Sequence, residues 1–438
     1  TENECYSHLL GYVNKPSKKD LDLPYISNMP MLNIGQQGIE KSFNELLVGS
    51  PGSREVEVNS SGRIIREISK KISTKGKNIK LSFDTSLQKY LLSQLSVHKA
   101  GSIVVMDIHN GAILSMASFP NFNANKVIKK PNKEYWETLL NNPLSPLTDR
   151  SVQGLYAPGS TFKMIVAIAA LKHGIINSKN LVSCKGKITF GDRLFHCWKT
   201  KGHGEMNITS AIQESCDVFF YNLSIKVGID KIAEVAKDFG LGQTYPIKLL
   251  NQKKGIIPSK KWKKEKLNKD WYGGETLIAA IGQGYVLTTP LQLAVMTSRI
   301  ASEGKKIIPS IIKKPLNKEF LSMKKYASTL KIIKDAMFKV VNEKKGTANK
   351  SRSLNFKFSG KTGTSQVKKI TLAERESDDF RNIEIKWKNR DHALFVGYMP
   401  ADNPKFAISV VIEHGGSGAS TAAPIAKNIF NFINEKNI

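Results

Sequence analysis

Two pairs of strand-like runs, separated by most of the chain, constrain the fold more than any other feature. In the first pair, "GSIVVMDIHNGAILSMAS" (101–118), two apolar runs are split by Asn110-Gly111, a dipeptide that strongly marks a two-residue hairpin. In the second, "HALFVGYMP" and "KFAISVVIEHG" flank the turn "ADNP" (401–404). Residues 150–300 between them are mostly helical in pattern, and a final helix, "AAPIAKNIFNFINE", follows the last strand. Strands that open a domain and strands that close it imply one antiparallel sheet built from both ends, with the helical middle packed on it as a second layer. The fold class is α+β.

A chain of 438 residues, 40% hydrophobic, is long enough for two or three packed domains. Residues 1–85 alternate apolar and polar positions between Gly, Pro and Ser, as in "GIEKSFNELLVGSPGSREVEVNSSGRIIREI", and read as a small β-rich module. The helical pattern "LQKYLLSQLSVH" leads into the second domain, 86–438. The charged stretch "KKITLAERESDDFRNIEIKWKNRD" (368–391) reads as a mobile loop.

The net charge of +29 is spread over scattered Lys-rich runs such as "KKWKKEK", and no zinc-finger, RNP or basic-zipper pattern accompanies it. A solvated basic surface is expected, with association with an anionic surface as the alternative, and nucleic acid is not. No apolar run reaches the length of a membrane span, and "TENECYSHLLGYVNK" is not a signal peptide.

Chemistry enters at "YAPGSTFKMIVAIAALKHG". Ser160 and Lys163 stand three apart near a helix N-terminus, where a desolvated amine can activate a hydroxyl; a Ser cap beside a surface Lys is the bland alternative. Two further motifs follow in order. "ESCDVFFY" places Ser215 and Asp217 two apart, and "FSGKTGTSQV" places Lys361, Thr362, Gly363 and Thr364 on a strand-like run. The order S-x-x-K, S-x-[ND], K-T-G is the active-site set of penicillin-binding proteins and serine β-lactamases.

With these residues the chain resembles the class B penicillin-binding proteins, and within them the elongation transpeptidases of the penicillin-binding protein 2 type. The resemblance extends through "HLLGYV", "NNPLSPLTDRSVQGLYAPGSTFK" and "WYGGETLIAAIGQGYVLTTPLQLA", and the Asp of S-x-D favours the same subfamily. It implies a penicillin-binding transpeptidase domain over 86–438, with an antiparallel sheet and a mostly helical second lobe, preceded by part of a pedestal, or dimerisation-type, domain over 1–85. It also implies acyl transfer. Ser160 would attack the D-Ala-D-Ala carbonyl of a peptidoglycan stem peptide and pass the acyl group to a neighbouring amine, and β-lactams would acylate the same serine. Lys163 would be the base and Ser215 the proton relay. Lys361 would be a cation that orients the substrate carboxylate and keeps Lys163 neutral. Thr362 and Thr364 would hold that carboxylate, Gly363 would admit the substrate, and the N–H groups of Ser160 and Thr364 would form the oxyanion hole. Asp217 raises a physical difficulty, because a carboxylate beside Lys163 opposes base function. It is expected to pair mainly with another cation or to contact the substrate.

Four cysteines, Cys5, Cys184, Cys197 and Cys216, are present, three of them within 33 residues. Relatives of the penicillin-binding protein 2 type carry a zinc site of Asp, Asp, His and Cys. Here Cys216 and His203 match the family Cys and His, while Cys197 and Cys184 lie at or near the Asp positions. The resemblance therefore implies one structural zinc per chain in a closed Cys3His set. A Cys184–Cys197 disulfide, or three buried thiols, are the alternatives. Asp192 is a reserve ligand and His196 a bystander. Cys5 reads as a partly buried or free thiol, His392 and His414 as structural, and Gly282 and Gly284 as bland glycines that do not form a dinucleotide fingerprint.

The resemblance implies a role in cell elongation and rod shape at the periplasmic face of the bacterial inner membrane. Partners would be a SEDS-family glycosyltransferase and rod-shape scaffold proteins, with Leu9 to Gly52 carrying part of their surface. The family's anchor helix and the first half of its pedestal are not in this sequence, so membrane anchoring is expected of the intact form. A D,D-carboxypeptidase, a β-lactamase and a non-catalytic β-lactam sensor or scaffold share the fold. For a β-lactamase, Lys264 stands in "KEKLN" where a deacylating Glu is needed.

Overall fold

Strands that are apolar at nearly every position, as the closing pair is, suit a sheet covered on both faces. The computed structural model shows this sheet. It describes every residue except 1, 24–25, 27–28, 30–31, 129–132, 250, 314–318 and 369–384; most of the charged stretch 368–391, expected to be mobile, lies outside the described residues.

The sheet comprises β1 (Gly101–Asp107), β2 (Ile113–Phe119), β3 (Ser359–Ser365), β4 (His392–Met399) and β5 (Phe406–Ile412), all antiparallel. Their spatial order is β3-β4-β5-β1-β2. The two ends of the domain meet where β5 pairs with β1, with Val410 opposite Ile103. β3 is an edge strand, so one of its sides is not paired within the sheet.

Helices cover both faces. They include α1 (Thr85–Ser96), α4 (Pro290–Ala301), α5 (Ala327–Asn342) and α6 (Ala423–Lys436), while α2 (Lys163–Lys172) and α3 (Asp217–Val227) pack on each other in the helical lobe. On one face, Ser409 of β5 donates to the Pro290 carbonyl of α4 at 2.7 Å. That helix has Pro at its first turn, a Thr289–Gln292 capping box, and every residue buried. On the other face, Ile412 lies beside Gly101 together with Leu95 of α1. There α6 stacks Phe432 on Tyr90, with centroids 4.2 Å apart. Asp84 caps α1 by accepting the Leu87 N–H at 2.8 Å.

The chain forms two compact units. The second holds the sheet and spans Ser82–Pro120, Thr148–Pro246 and Asn251–Ile438. The first gathers Thr1–Leu81 with Asn121–Leu147 and Ile247–Leu250, two insertions that a reading in linear segments does not register. Phe122, Ala124 and Leu139 form an apolar cluster in this first unit, against which Tyr12 and Trp136 pack.

Two expectations about local structure are corrected. Residues 38–48 are helical, as Gly38–Ser42 and Asn44–Val48, and not strands; Ile39, Phe43 and Leu47 recur at a spacing of four and line one helical face. The helical middle also contains four short strands. Val182–Cys184 pairs with Gly204–Met206, and Lys187–Phe190 pairs with Arg193–His196.

Candidate active site

A cleft of about 1070 Å³ is lined by Ser160, Ser215, Asp217, Thr362, Gly363 and Thr364, among others. All three motifs converge on it. Ser160 lies on a single 3-10 turn, Gly159–Phe162, and Lys163 begins α2; Ser160 is not the helix cap that the bland reading assumes. Gly159 has φ +54°, and a β-carbon there would stand 2.4 Å from the Thr364 oxygen and 3.1 Å from its nitrogen. Only glycine permits this approach of the Ser160 turn to β3. From the other side, Gly282 has φ +72°, and a β-carbon there would stand 2.1 Å from the Gly159 oxygen. The Gly282 carbonyl accepts the Gly159 N–H at 3.0 Å, and Gln283 donates to the Thr364 carbonyl at 3.1 Å. Gly282 was expected to be unremarkable; it seats the serine turn.

Lys163 is fully buried. Its Nζ donates to the Ser215 carbonyl at 2.8 Å, to Ser215 Oγ at 3.1 Å and to Asp217 Oδ1 at 2.6 Å. The expectation for Asp217 is thereby corrected, since its cation is Lys163 itself. Physically, Asp217 is the first residue of α3, where the helix N-terminus favours a carboxylate, and a buried ammonium needs a counter-charge. Asp217 Oδ2 accepts the Trp198 N–H at 2.9 Å.

Lys361 is also fully buried, and its Nζ reaches Ser215 Oγ and the Thr362 carbonyl, each at 3.0 Å. Burial, reinforced by the charge of Lys163 and opposed by Asp217, pushes its amine well below the usual lysine range. The direction of this shift runs against the expected arrangement, in which a charged Lys361 keeps Lys163 neutral. Ser215 Oγ sits between the two amines. Its backbone has φ +57°, a left-handed conformation that bulkier residues than glycine hold only when their surroundings impose it.

The cysteine-rich stretch forms a second cluster next to the first. The pairing of Val182–Cys184 with Gly204–Met206 brings Cys184 beside His203, and Cys216 caps α3 by accepting the Phe219 N–H at 3.4 Å. The ligand atoms of Cys184, Cys197, His203 and Cys216 all lie within 4.8 Å of one another. His203 Nδ1 is 3.6 Å from Cys184 Sγ and 3.5 Å from Cys197 Sγ. The Asp217 N–H points at Cys197 Sγ from 3.4 Å. A hydrogen bond between Cys216 and Cys197 drives the Cys197 thiol far down and raises Cys216. None of the four cysteines is in a disulfide. Asp192 and His196 line the cleft and not this cluster.

Sequence reasoning missed Trp198, Gly282, Gln283 and Thr347, whose hydroxyl meets that of Thr362 at 2.7 Å. No motif marks them; their roles exist only once distant segments meet.

Comparison with known proteins shows the family to which the chain belongs. Residues 101–431 match the model of the penicillin binding protein transpeptidase domain, and residues 1–81 that of the penicillin-binding protein dimerisation domain. The chain is 33% identical to the peptidoglycan D,D-transpeptidase MrdA of Haemophilus influenzae over 98% of its own length and 68% of the relative's. It therefore spans about two thirds of that protein. Among solved structures, a complex between penicillin-binding protein 2 (PBP2) and MreC from Helicobacter pylori aligns with a TM-score of 0.88 at 32% identity, covering 99% of this chain and 78% of that one. Pseudomonas aeruginosa PBP2 in complex with WCK 5153 aligns with a TM-score of 0.82 at 31% identity, over 98% and 89%.

Proposed function

The chain belongs to the penicillin-binding protein 2 family of peptidoglycan D,D-transpeptidases, and from that premise we propose how its residues divide the work. The observation that carries the reading is the placement of Ser215 Oγ between two buried amines, 3.1 Å from Lys163 and 3.0 Å from Lys361, in the cleft that Ser160 lines. Ser160 Oγ bonds to the carbonyl carbon of the penultimate D-Ala, and its proton enters this two-lysine relay. The tetrahedral centre collapses, the bond to the last D-Ala breaks, and Ser215 returns a proton to the leaving amine. An amine of a second stem peptide then attacks the ester, forms the cross-link and restores Ser160. The relay needs one vacant proton site, and the depressed amine of Lys361 supplies it. The N–H groups of Ser160 and Thr364, brought together by Gly159, form the oxyanion hole. Thr362 and Thr364, on the outer edge strand, hold the terminal carboxylate.

Cys184, Cys197, His203 and Cys216 would hold one structural zinc. With Zn–S near 2.3 Å and Zn–N near 2.0–2.1 Å, the sulfur–nitrogen edge of a tetrahedron is about 3.5–3.6 Å, which matches both contacts of His203 Nδ1 with thiol sulfurs. With four protein donors the coordination sphere would be closed, so a zinc held there would supply rigidity to the segment carrying Ser215 and Asp217.

The enzyme acts at the periplasmic face of the inner membrane, in a membrane-anchored form, during cell elongation. No helix among the described residues is long and apolar enough to cross a membrane. A rod-shape scaffold protein of the MreC kind, as named in the Helicobacter pylori complex, and a SEDS glycosyltransferase are its partners.

Intact-protein mass spectrometry after incubation with a penicillin tests the reading. One added drug mass is expected, absent from Ser160→Ala; an adduct that survives this substitution refutes the assignment.

A further inference from the structure

Trp198 is 58% exposed, lines the cleft and follows Cys197 directly in sequence. An exposed aromatic needs no explanation by itself, but this one donates twice into the catalytic segment. Its backbone N–H goes to Asp217 Oδ2 at 2.9 Å. Its indole N–H is shared between the carbonyls of Glu214 at 3.2 Å and Ser215 at 3.1 Å. Its ring meets that of His203 edge-on, with centroids 5.4 Å apart.

The Ser215 carbonyl thus has two side-chain donors, Trp198 Nε1 and Lys163 Nζ. Lys163 belongs to the proton relay, so its hydrogen bonds rearrange as protons move. The indole does not titrate, and its donor is constant through the cycle. A left-handed serine, φ +57°, keeps its shape only while its neighbours hold it.

We infer that Trp198 is a positioning residue for acyl transfer. Its indole N–H fixes the Ser215 peptide, and through it the Ser215 hydroxyl between Lys163 and Lys361, while its ring ties that peptide to His203. The inference rests on the roles given above to Ser160, Ser215 and the two lysines. It assigns the N–H to the chemical step and not to ligand binding.

The test replaces the Trp198 indole with benzothiophene, which keeps both rings and lacks the N–H, and adds Trp198→Phe as an encodable second variant. Stopped-flow acylation by a chromogenic cephalosporin separates the binding constant from the acylation rate constant. In both variants the rate constant is expected to fall about tenfold, the effect of one lost neutral hydrogen bond at the upper end of its range. The binding constant should stay within twofold, with zinc content and melting temperature unchanged. An unchanged rate constant overturns the inference. So does weaker binding at an unchanged rate, which would make Trp198 a wall of the cleft, and so does a fall in rate that tracks a fall in melting temperature. Wild-type protein that is not acylated at Ser160 would instead refute the reading beneath it, independently of Trp198.

Discussion

Lys163 Nζ lies 2.6 Å from Asp217 Oδ1, in an ion pair whose lysine is fully buried and whose carboxylate also lines the cleft. Removing one partner of such a pair leaves the other uncompensated, typically at a cost of about 3–5 kcal/mol. Asp217→Ala should lower unfolding stability by about that much in urea titration, whereas Asp217→Asn, which keeps an acceptor for Lys163, should lose markedly less. Equal losses in the two variants would show that the carboxylate charge is not what Lys163 requires.

Lys361 supplies a pH prediction. Its amine is held below the usual lysine range by burial and by the charge of Lys163. It is therefore neutral in the folded protein over a window in which a free lysine is charged. As pH falls through its lowered pKa, the vacancy in the relay fills and acylation should slow. Lys361→Arg, permanently charged, should acylate orders of magnitude more slowly and lose that acid limb. Penicillin acylation rates from pH 5 to 9 check both outcomes.

The thiol–imidazole cluster predicts about one zinc per chain by elemental analysis, as a closed four-donor site requires. A strong chelator should lower melting temperature and acylation together, with zinc restoring both. Cys216→Ser should reproduce the chelator effect, although Ser160 and Lys163 are untouched. Thiol titration under non-reducing conditions provides the counter-outcome: no zinc and two thiols missing would replace the metal site with a Cys184–Cys197 disulfide.

Gly282→Ala lies far in sequence from every motif and should still act on the serine turn. Its β-carbon would lie 2.1 Å from the Gly159 oxygen, at φ +72°. The left-handed conformation alone costs an alanine about 1–2 kcal/mol. Acylation should fall at least about tenfold, with zinc content preserved. A variant that acylates at the wild-type rate would show that the serine turn does not depend on this seat.

His392 makes stability pH-dependent. Burial first, then His414, lowers its pKa from 6.5 to about 4. Between those values the unfolded chain binds the proton and the folded protein does not, so stability rises with pH across the window and is lost as pH falls through it. His392→Asn should flatten this slope, by about 2 kcal/mol over the window after allowing for partial exposure. Urea midpoints at pH 4, 5, 6 and 7 measure it.

The sheet and the three motifs were legible because their signals are local. β4 and β5 are apolar at nearly every position, Asn110-Gly111 marks a turn, and Ser160, Ser215 and Lys361 fall within short patterns. The spacing of Cys184, Cys197, His203 and Cys216 was legible for the same reason, once the resemblance supplied the ligand set. Strands of three or four residues, such as Val182–Cys184, carry too few alternations to register against a helical background. The Lys163–Asp217 pair, the depression of Lys361 and the seat at Gly282 depend on burial and on contacts between residues more than fifty positions apart. No local pattern encodes them.

The pairing of β5 with β1 joins residues about 300 positions apart, and β3, which carries Lys361, is added to the sheet only through β4. During synthesis the hairpin of β1 and β2 emerges long before its partners, presenting an apolar strand edge with nothing to complete it. Folding of this unit therefore waits for the C-terminal strands, and topology of this kind is slow and exposed to aggregation. Premature termination before β5 would leave an unfinished sheet, since β5 is the strand that joins β4 to β1, and the burden of keeping such a nascent chain soluble falls on whatever binds it in transit.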